Sequence, residues 1–300
     1  MWVGVAFLSA LMLGLYDVAK KRSLTGNAVV AVLWFNTFIS TLIFLPVVID
    51  SEWSLGVLAA ISLSYAPTTL FSHILVAIKA VITLSSWICG YYAMKHLPLS
   101  IVGPVNATRP VVVLVGAVLL FGERLNLWQW GGVLLTIVSL YLLSVSSKKE
   151  NVSFSSRHAV AMFMAMLLGA VSGLFDKYII SEHSLDPMFV QSWFSIYQLA
   201  IMTLLLLVIW YPRRSVDRFH WSWAIPLISI FVSLADYCYY HAIDMEGSMI
   251  AVISMIRRFS VVVSFVCAAL IFGEKNLKSK AIDMVLILVG MILLAIGSVF

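Results

Sequence analysis

The sequence predicts an all-α membrane protein, with ten transmembrane helices arranged as two inverted five-helix repeats. Three observations carry that expectation. Of 300 residues, 62% are apolar and only 11% charged, and the mean hydropathy is +1.03; soluble domains run near half apolar and about a quarter charged. The apolar residues form continuous runs of about 20, the length a helix needs to cross the hydrocarbon core, and do not alternate as barrel strands do. The two halves of the chain also carry the same landmarks in the same order. Water would not tolerate so much apolar surface, so lipid is the solvent for most of the chain. Disordered, collagen-like, disulfide-rich and nucleic-acid-binding classes are excluded on the same ground.

Reading along the chain, spans are expected near 2–18, 28–49, 70–94, 98–121 and 127–145, then near 158–180, 187–211, 221–244, 247–272 and 278–298. The first run lacks a basic leader and a small-residue cleavage site, so no cleavable signal is expected. The stretch 53–69 is broken by Pro67 and polar residues. It is expected to form a short interfacial helix leading into the third span. A polar linker, 146–157, separates the first unit (1–145) from the second (158–300). Cys89, Cys238 and Cys267 lie in apolar runs without ligand spacing and read as small core residues, so neither metal nor cofactor is expected.

The repeat is explicit in the residues. Gly14-Leu15-Tyr16-Asp17 returns as Gly173-Leu174-Phe175-Asp176, and Trp34-Phe35 as Trp193-Phe194. Tyr91-Tyr92 returns as Tyr239-Tyr240, Ser100 as Ser248, Arg109 as Arg257, and Phe121-Gly122-Glu123-Arg124 as Phe272-Gly273-Glu274-Lys275. Five helices per half is an odd number, so the second half must enter the membrane from the opposite side. The charges agree. Lys20, Lys21 and Arg22 face a Ser181-Glu182-His183 counterpart, and Asp50 and Glu52 face Arg213, Arg214 and Arg218. Thirteen of the 19 Lys and Arg fall in turns after odd-numbered spans, only Arg124 and Lys177 on the other side, and Lys79, Arg109, Arg257 and Arg258 within spans. The net charge of +5 thus reads as loop anchoring rather than as a polyanion site, and both chain ends are expected outside the cytoplasm.

Ionisable residues at bilayer depth face the bundle interior and are functional candidates. Lys79, Thr83, Ser86 and Gly90 are spaced i, i+4, i+7 and i+11 on one helical face. Arg109 and Asn106 lie between Pro104 and Pro110, which interrupt the fourth helix as transporter sites often require. Arg257 and Ser254 occupy the matching places in the second half, while Arg258 points about 100° away and is expected to pair, with Asp236 as candidate partner. Asp236 belongs to a second stripe, Ser229, Ser233, Asp236 and Tyr240. It either carries a coupling proton or neutralises an Arg. Asp17 and Asp176, near helix ends, are expected to cap or pair structurally. Trp34, Trp193, Trp87, Tyr91, Tyr92, Tyr239 and Tyr240 read as packing or as a wall for planar cargo; Trp34 and Trp193 stand out because the repeat retains them mid-span.

Ten helices in two inverted halves, with an FGE[RK] turn closing the fourth helix of each, resemble EamA-type members of the drug/metabolite transporter superfamily. The resemblance spans the whole chain. It implies a bundle whose first four helices in each half surround a central cavity, with the fifth helices peripheral. The expected function is secondary transport of an anionic or zwitterionic small metabolite by alternating access, in a bacterial cytoplasmic membrane. Alternatives are a lipid-carrier flippase of the same fold and, in a different class, an intramembrane enzyme. The enzyme would need a clustered nucleophile and base, and His73, His96 and His241 are scattered. No Walker loop points to ATP-driven pumping. A monomer suffices, because one chain holds both halves, although a homodimer is compatible. Lys79, Arg109 and Arg257, with Asp236 assigned to Arg258, leave three cations in excess around the proposed cavity, which motivates the anionic cargo. If Asp17 and Asp176 reach inward, that excess is cancelled.

Overall fold

A computed structural model describes residues 2–58, 63–66, 68–98, 157–245, 256–257, 259–271 and 277–299, with shorter pieces between 101 and 142. All regular structure among them is helical. α1 runs Trp2–Leu24, α2 Val29–Glu52, α3 Leu70–His96, α4 Arg157–Lys177, α5 Pro187–Leu205, α6 Ala224–Asp244, α7 Ser260–Ile271 and α8 Leu277–Val299. Among the described residues, five segments are long and apolar enough to cross a membrane: Trp2–Leu24, Val29–Glu52, Leu70–His96, Arg157–Ile180 and Pro187–Arg213. Helical backbone also recurs in pieces at 101–116 and 127–138, where the fourth and fifth spans are expected. The Phe-Gly-Glu turns, Pro104 and Pro110, and the linker up to residue 156 lie outside the described residues.

Local chemistry sets the boundaries. α1 continues to Leu24, six residues beyond the expected end, and Gly26 takes φ +66° in the turn to α2. Only a residue without Cβ adopts that conformation cheaply. Lys21 donates from Nζ to the carbonyls of Met94 (2.7 Å) and Leu97 (2.5 Å), so a cation caps the C-terminal end of α3. Asp186 caps α5, accepting from Met188 N at 2.7 Å, and Pro187 occupies the first turn, where its missing N–H costs nothing. A five-residue π-helix, Tyr178–Glu182, ends α4, and another, Leu206–Trp210, extends α5.

The segment after α2 departs from expectation. Its described residues are non-helical and are pinned to the end of α2. The Asp50 carboxylate accepts from Val57 N (2.8 Å) and Leu58 N (3.1 Å), and Ser51 Oγ accepts from Tyr65 N (3.1 Å). Buried Tyr65 donates to Glu52 Oε1 at 3.1 Å and accepts from Trp193 Nε1 at 2.9 Å. Burial, with Glu52 beside it, pushes the Tyr65 phenol above its ordinary range, so it stays a neutral donor. Tyr65 packs with Val76, Phe189 and Val190 into an apolar cluster over this end of the bundle. Backbone polar groups that cannot be left bare thus decide the path that hydropathy left open.

Helices pack in a regular scheme. α1 lies against α6, α3 against α4, and α2 against α5. Exchanging α1 with α4, α2 with α5 and α3 with α6 returns the same three pairs. Hydroxyls stitch two of these contacts: Ser9 Oγ donates to Ala235 O (2.6 Å), and Ser86 Oγ to Ala165 O (2.7 Å). Lipid supplies no hydrophobic drive between helices, so small residues and such bonds do the joining. Gly14 illustrates the close approach, since a Cβ there would fall on Val263 of α7. A core of Leu33, Leu84, Met94, Met162, Met202 and Ile228 fills the centre of the bundle between α2, α3, α4, α5 and α6.

Candidate functional site

Charged side chains meet in the bundle interior as a row. Near one end Lys20, only 7% exposed, pairs with Asp17 at 3.0 Å and sits 4.2 Å from the Tyr16 ring centroid and 5.2 Å from that of Tyr91. Midway, Arg257 pairs with Asp236 at 2.6 Å and lies 4.1 Å from the Tyr239 ring centroid. Near the other end Lys79, 2% exposed, pairs with Asp176 at 2.7 Å and donates to the Tyr240 hydroxyl at 2.8 Å. Arg109 stands within electrostatic reach of Arg257 and Asp17, and Asp176 within reach of Asp236 and Arg257. Seven ionisable groups thus form one connected array.

Three of the four cations in this array have a carboxylate within ion-pair distance, and Arg109 does not, among the described residues. Among the described residues its hydrogen bond runs from Nη2 to Asn106 Oδ1 at 3.4 Å, and its Nε is buried without a partner. The backbone around it is tightened. Val111 N donates to Thr108 O, and 148 residues on Phe259 N donates to Ile256 O, each an i→i−3 bond beside the matching Arg. Such short turns interrupt the α-helical ladder and re-aim the side chain between them. Arg109 lies flat on Gly169 of α4, where a Cβ would fall on the guanidinium. One turn further along α4, a Cβ on Gly173 would meet nothing within 4 Å. Gly173 is about 200° around the helix from exposed Val171, so this open space faces the bundle interior. It lies beside Arg109 and below the Lys79–Asp176 pair.

The expected site residues are distributed as follows. Arg109 and Asn106 come together, and Lys79 meets Tyr240. Asp236 belongs to Arg257, so Arg257 is not the free cation that pairing Asp236 with Arg258 implied; Arg258 and Ser254 lie outside the described residues. Asp176 reaches inward and neutralises Lys79, so of the three cations expected in excess only Arg109 is left without a carboxylate among the described residues. The polar stripe on α3 is a helix seam: besides Lys79–Asp176, Thr83 meets Ser172 at 2.8 Å, Ser86 meets Ala165 O, and a Cβ on Gly90 would stand 3.5 Å from Ala165 Cβ. Trp34 and Trp193 belong to separate aromatic groups. Trp34 stacks on Phe38 and donates to Thr203 Oγ1 at 3.0 Å, whereas Trp193 holds Tyr65 and stands edge-on to His73 with centroids 4.5 Å apart. Tyr91, 1% exposed, packs beside Lys20, away from Lys79.

Sequence reasoning missed Lys20, Asn36, Gln198 and the two α4 glycines. A signal for Gly169 existed: Ala165, Gly169, Ser172 and Asp176 repeat the same i, i+4, i+7, i+11 spacing as the α3 stripe they meet. Asn36, fully buried, accepts from Ser229 Oγ at 3.0 Å and leaves Nδ2 without a partner. No group of three or more metal-ligating side chains occurs among the described residues.

Long apolar helices that bury charged side chains in the bundle interior define an integral membrane protein. The EamA-like transporter family matches the chain over residues 1–145 and 157–296, and the chain belongs to that family. A solved structure described as a crystal structure of a protein aligns with a TM-score of 0.63 at 16% identity, covering 97% of this chain and 96% of that one. It shares the fold. No curated protein matches the sequence.

Proposed function

We propose that this transporter carries a small anionic or zwitterionic metabolite by alternating access between two inverted five-helix halves, with Arg109 as the anchor for the cargo's acid group. The observation that carries this reading is the charge balance of the interior array, in which Arg109 is the cation left without a carboxylate. A carboxylate or phosphate oxygen pair matches the planar fork of a guanidinium, and its arrival offsets an otherwise uncompensated charge at bilayer depth. The interchangeable packing of α1–α3 with α4–α6 supports two related halves able to rock about the central space.

The test is binding. A thermal-shift screen of small carboxylates, phosphates and amino acids should find stabilising ligands, and Arg109→Gln should weaken the best of them at least tenfold with the protein still folded. Arg109→Lys should recover part of the affinity, because a point charge remains but the fork does not. Binding by the Arg109→Gln protein at wild-type strength would remove the anchor. Orientation is tested separately. We place both chain ends outside the cytoplasm of a bacterial inner membrane, because the Lys and Arg of the turns concentrate on the other side. A reporter active only in the cytoplasm, fused after Phe300, should stay silent. Strong activity would reverse the topology.

A further inference from the structure

A second charged feature lies outside the interior array, in the turn between α5 and α6. Residues 211–223 carry three arginines and a single carboxylate. That carboxylate, Asp217, already faces Lys95 at 3.6 Å. Arg213, Arg214 and Arg218 are exposed, and none has a carboxylate within ion-pair distance among the described residues. The turn folds tightly enough to hold the three together. Asp217 N donates to Arg213 O at 2.9 Å, and Trp210 Nε1 donates to Asp217 O at 2.9 Å. Arg214 rests on the Tyr211 ring, 4.2 Å from its centroid, which restrains the guanidinium plane. The far side of the turn is anchored on α2 and the residue before it: Asn27 accepts from His220 N at 3.0 Å and donates to His220 O at 2.7 Å, and Phe35 stacks on Phe219. Apolar surface adjoins the cations. Trp221 is 51% exposed and Trp223 79%, with ring centroids 6.3 Å apart, and Leu207 and Val208 at the end of α5 are exposed too. The apolar span that includes α5 runs to Arg213, so the turn stands at headgroup level, where Trp and Arg side chains anchor.

Guanidiniums without counter-charge, beside exposed indole rings at the membrane surface, match one ligand in both its parts. We propose that this turn binds an acidic phospholipid, with the anionic headgroup on Arg213, Arg214 and Arg218 and the acyl chains against the apolar surface of Trp221 and Trp223. A guanidinium meets a phosphate through two parallel N–H···O bonds, a geometry that the point charge of a lysine lacks. Loop cations attracted diffusely to a negative leaflet bind no particular lipid. A preordered arginine turn, pinned by Trp210 at one end and Asn27 at the other, holds one. The site is independent of Arg109 and of the cargo.

Native mass spectrometry of the purified full chain, titrated with dioleoyl phosphatidylglycerol or dioleoyl phosphatidylcholine, tests it. The acyl chains are the same and both lipids carry a phosphate, but only the first has a net negative charge. Phosphatidylglycerol should saturate at one tightly held lipid and bind about fivefold or more above phosphatidylcholine. Arg213→Gln, Arg214→Gln and Arg218→Gln together should bring the two lipids to within about twofold of each other. Lys148→Gln, Lys149→Gln and Arg157→Gln together remove the same charge elsewhere in the chain and should leave the preference intact. Arg213→Lys, Arg214→Lys and Arg218→Lys together keep the charge and serve if the Gln triple fails to fold; phosphatidylglycerol affinity should then fall about threefold. Trp223→Ala should weaken both lipids alike. Glycerol 1-phosphate, a headgroup without chains, should not displace the lipid even at about a hundredfold excess. The proposal is overturned by equal binding of the two lipids, by a preference that survives the Gln triple or is lost equally in the Lys148, Lys149 and Arg157 variant, by wild-type affinity in the Lys triple or in Trp223→Ala, or by displacement with glycerol 1-phosphate.

Discussion

Asp176→Asn should lower the unfolding free energy by about 3–5 kcal/mol, one of the larger losses a single substitution causes, because it strands Lys79 without its counter-charge. Lys79 is 2% exposed and its ammonium reaches Asp176 at 2.7 Å and the Tyr240 hydroxyl at 2.8 Å. Phe194 closes the remaining side with its ring centroid 4.8 Å away. The pair also joins α3, α4 and α6, so its loss loosens three helices together. Lys79→Met combined with Asp176→Leu should recover most of the stability, since replacing a buried pair by apolar groups of similar volume is often neutral or better. Thermal unfolding in detergent checks both. An Asp176→Asn protein that melts with the wild type would mean that the pair holds nothing.

Gly173→Leu should abolish cargo binding, by more than tenfold, while leaving the protein as stable as before or slightly more so. A Cβ at Gly173 meets nothing within 4 Å, so a larger side chain enters open space instead of displacing neighbours. Replacing a mid-helix glycine gains about 0.5–1 kcal/mol of helix stability. The lost space is the room beside Arg109 that a bound acid would occupy. Gly169→Ala makes the contrast, since its added methyl pushes the Arg109 guanidinium away and should weaken binding through displacement of the anchor. Calorimetric binding of the best screened ligand, with melting temperature as the folding control, separates the two. Unchanged affinity in the Gly173→Leu protein would place the cargo elsewhere.

The two glycines of the repeated Gly-Leu-aromatic-Asp motif show why the site was only partly legible in one dimension. Sequence comparison marks Gly14 and Gly173 as equivalent, yet Gly14 is packed against Val263 and Gly173 opens onto space. The same holds for the carboxylates that follow them. Asp17 pairs three residues along its own helix with Lys20, whereas Asp176 crosses to Lys79 on α3. A duplicated motif records common ancestry of position; what each copy touches depends on neighbours that are not duplicated.

What the sequence determined by itself was the membrane class, the all-helical character of the described residues and the course of the long apolar helices. These follow from period, length and solvation cost, which are properties of local stretches and can be read without knowing the partner. The tertiary structure alone decided which carboxylate each cation takes, that Arg109 takes none among the described residues, that the α3 polar stripe is a seam against α4, and that Trp193 donates to Tyr65. Most of these pairings join residues far apart in the chain, such as Lys79 with Asp176 and Tyr240 or Trp193 with Tyr65, whereas Arg257 and Asp236 lie 21 positions apart and Lys20 and Asp17 three. Charge neutralisation acts over a few ångströms in space, and sequence order carries no record of that distance.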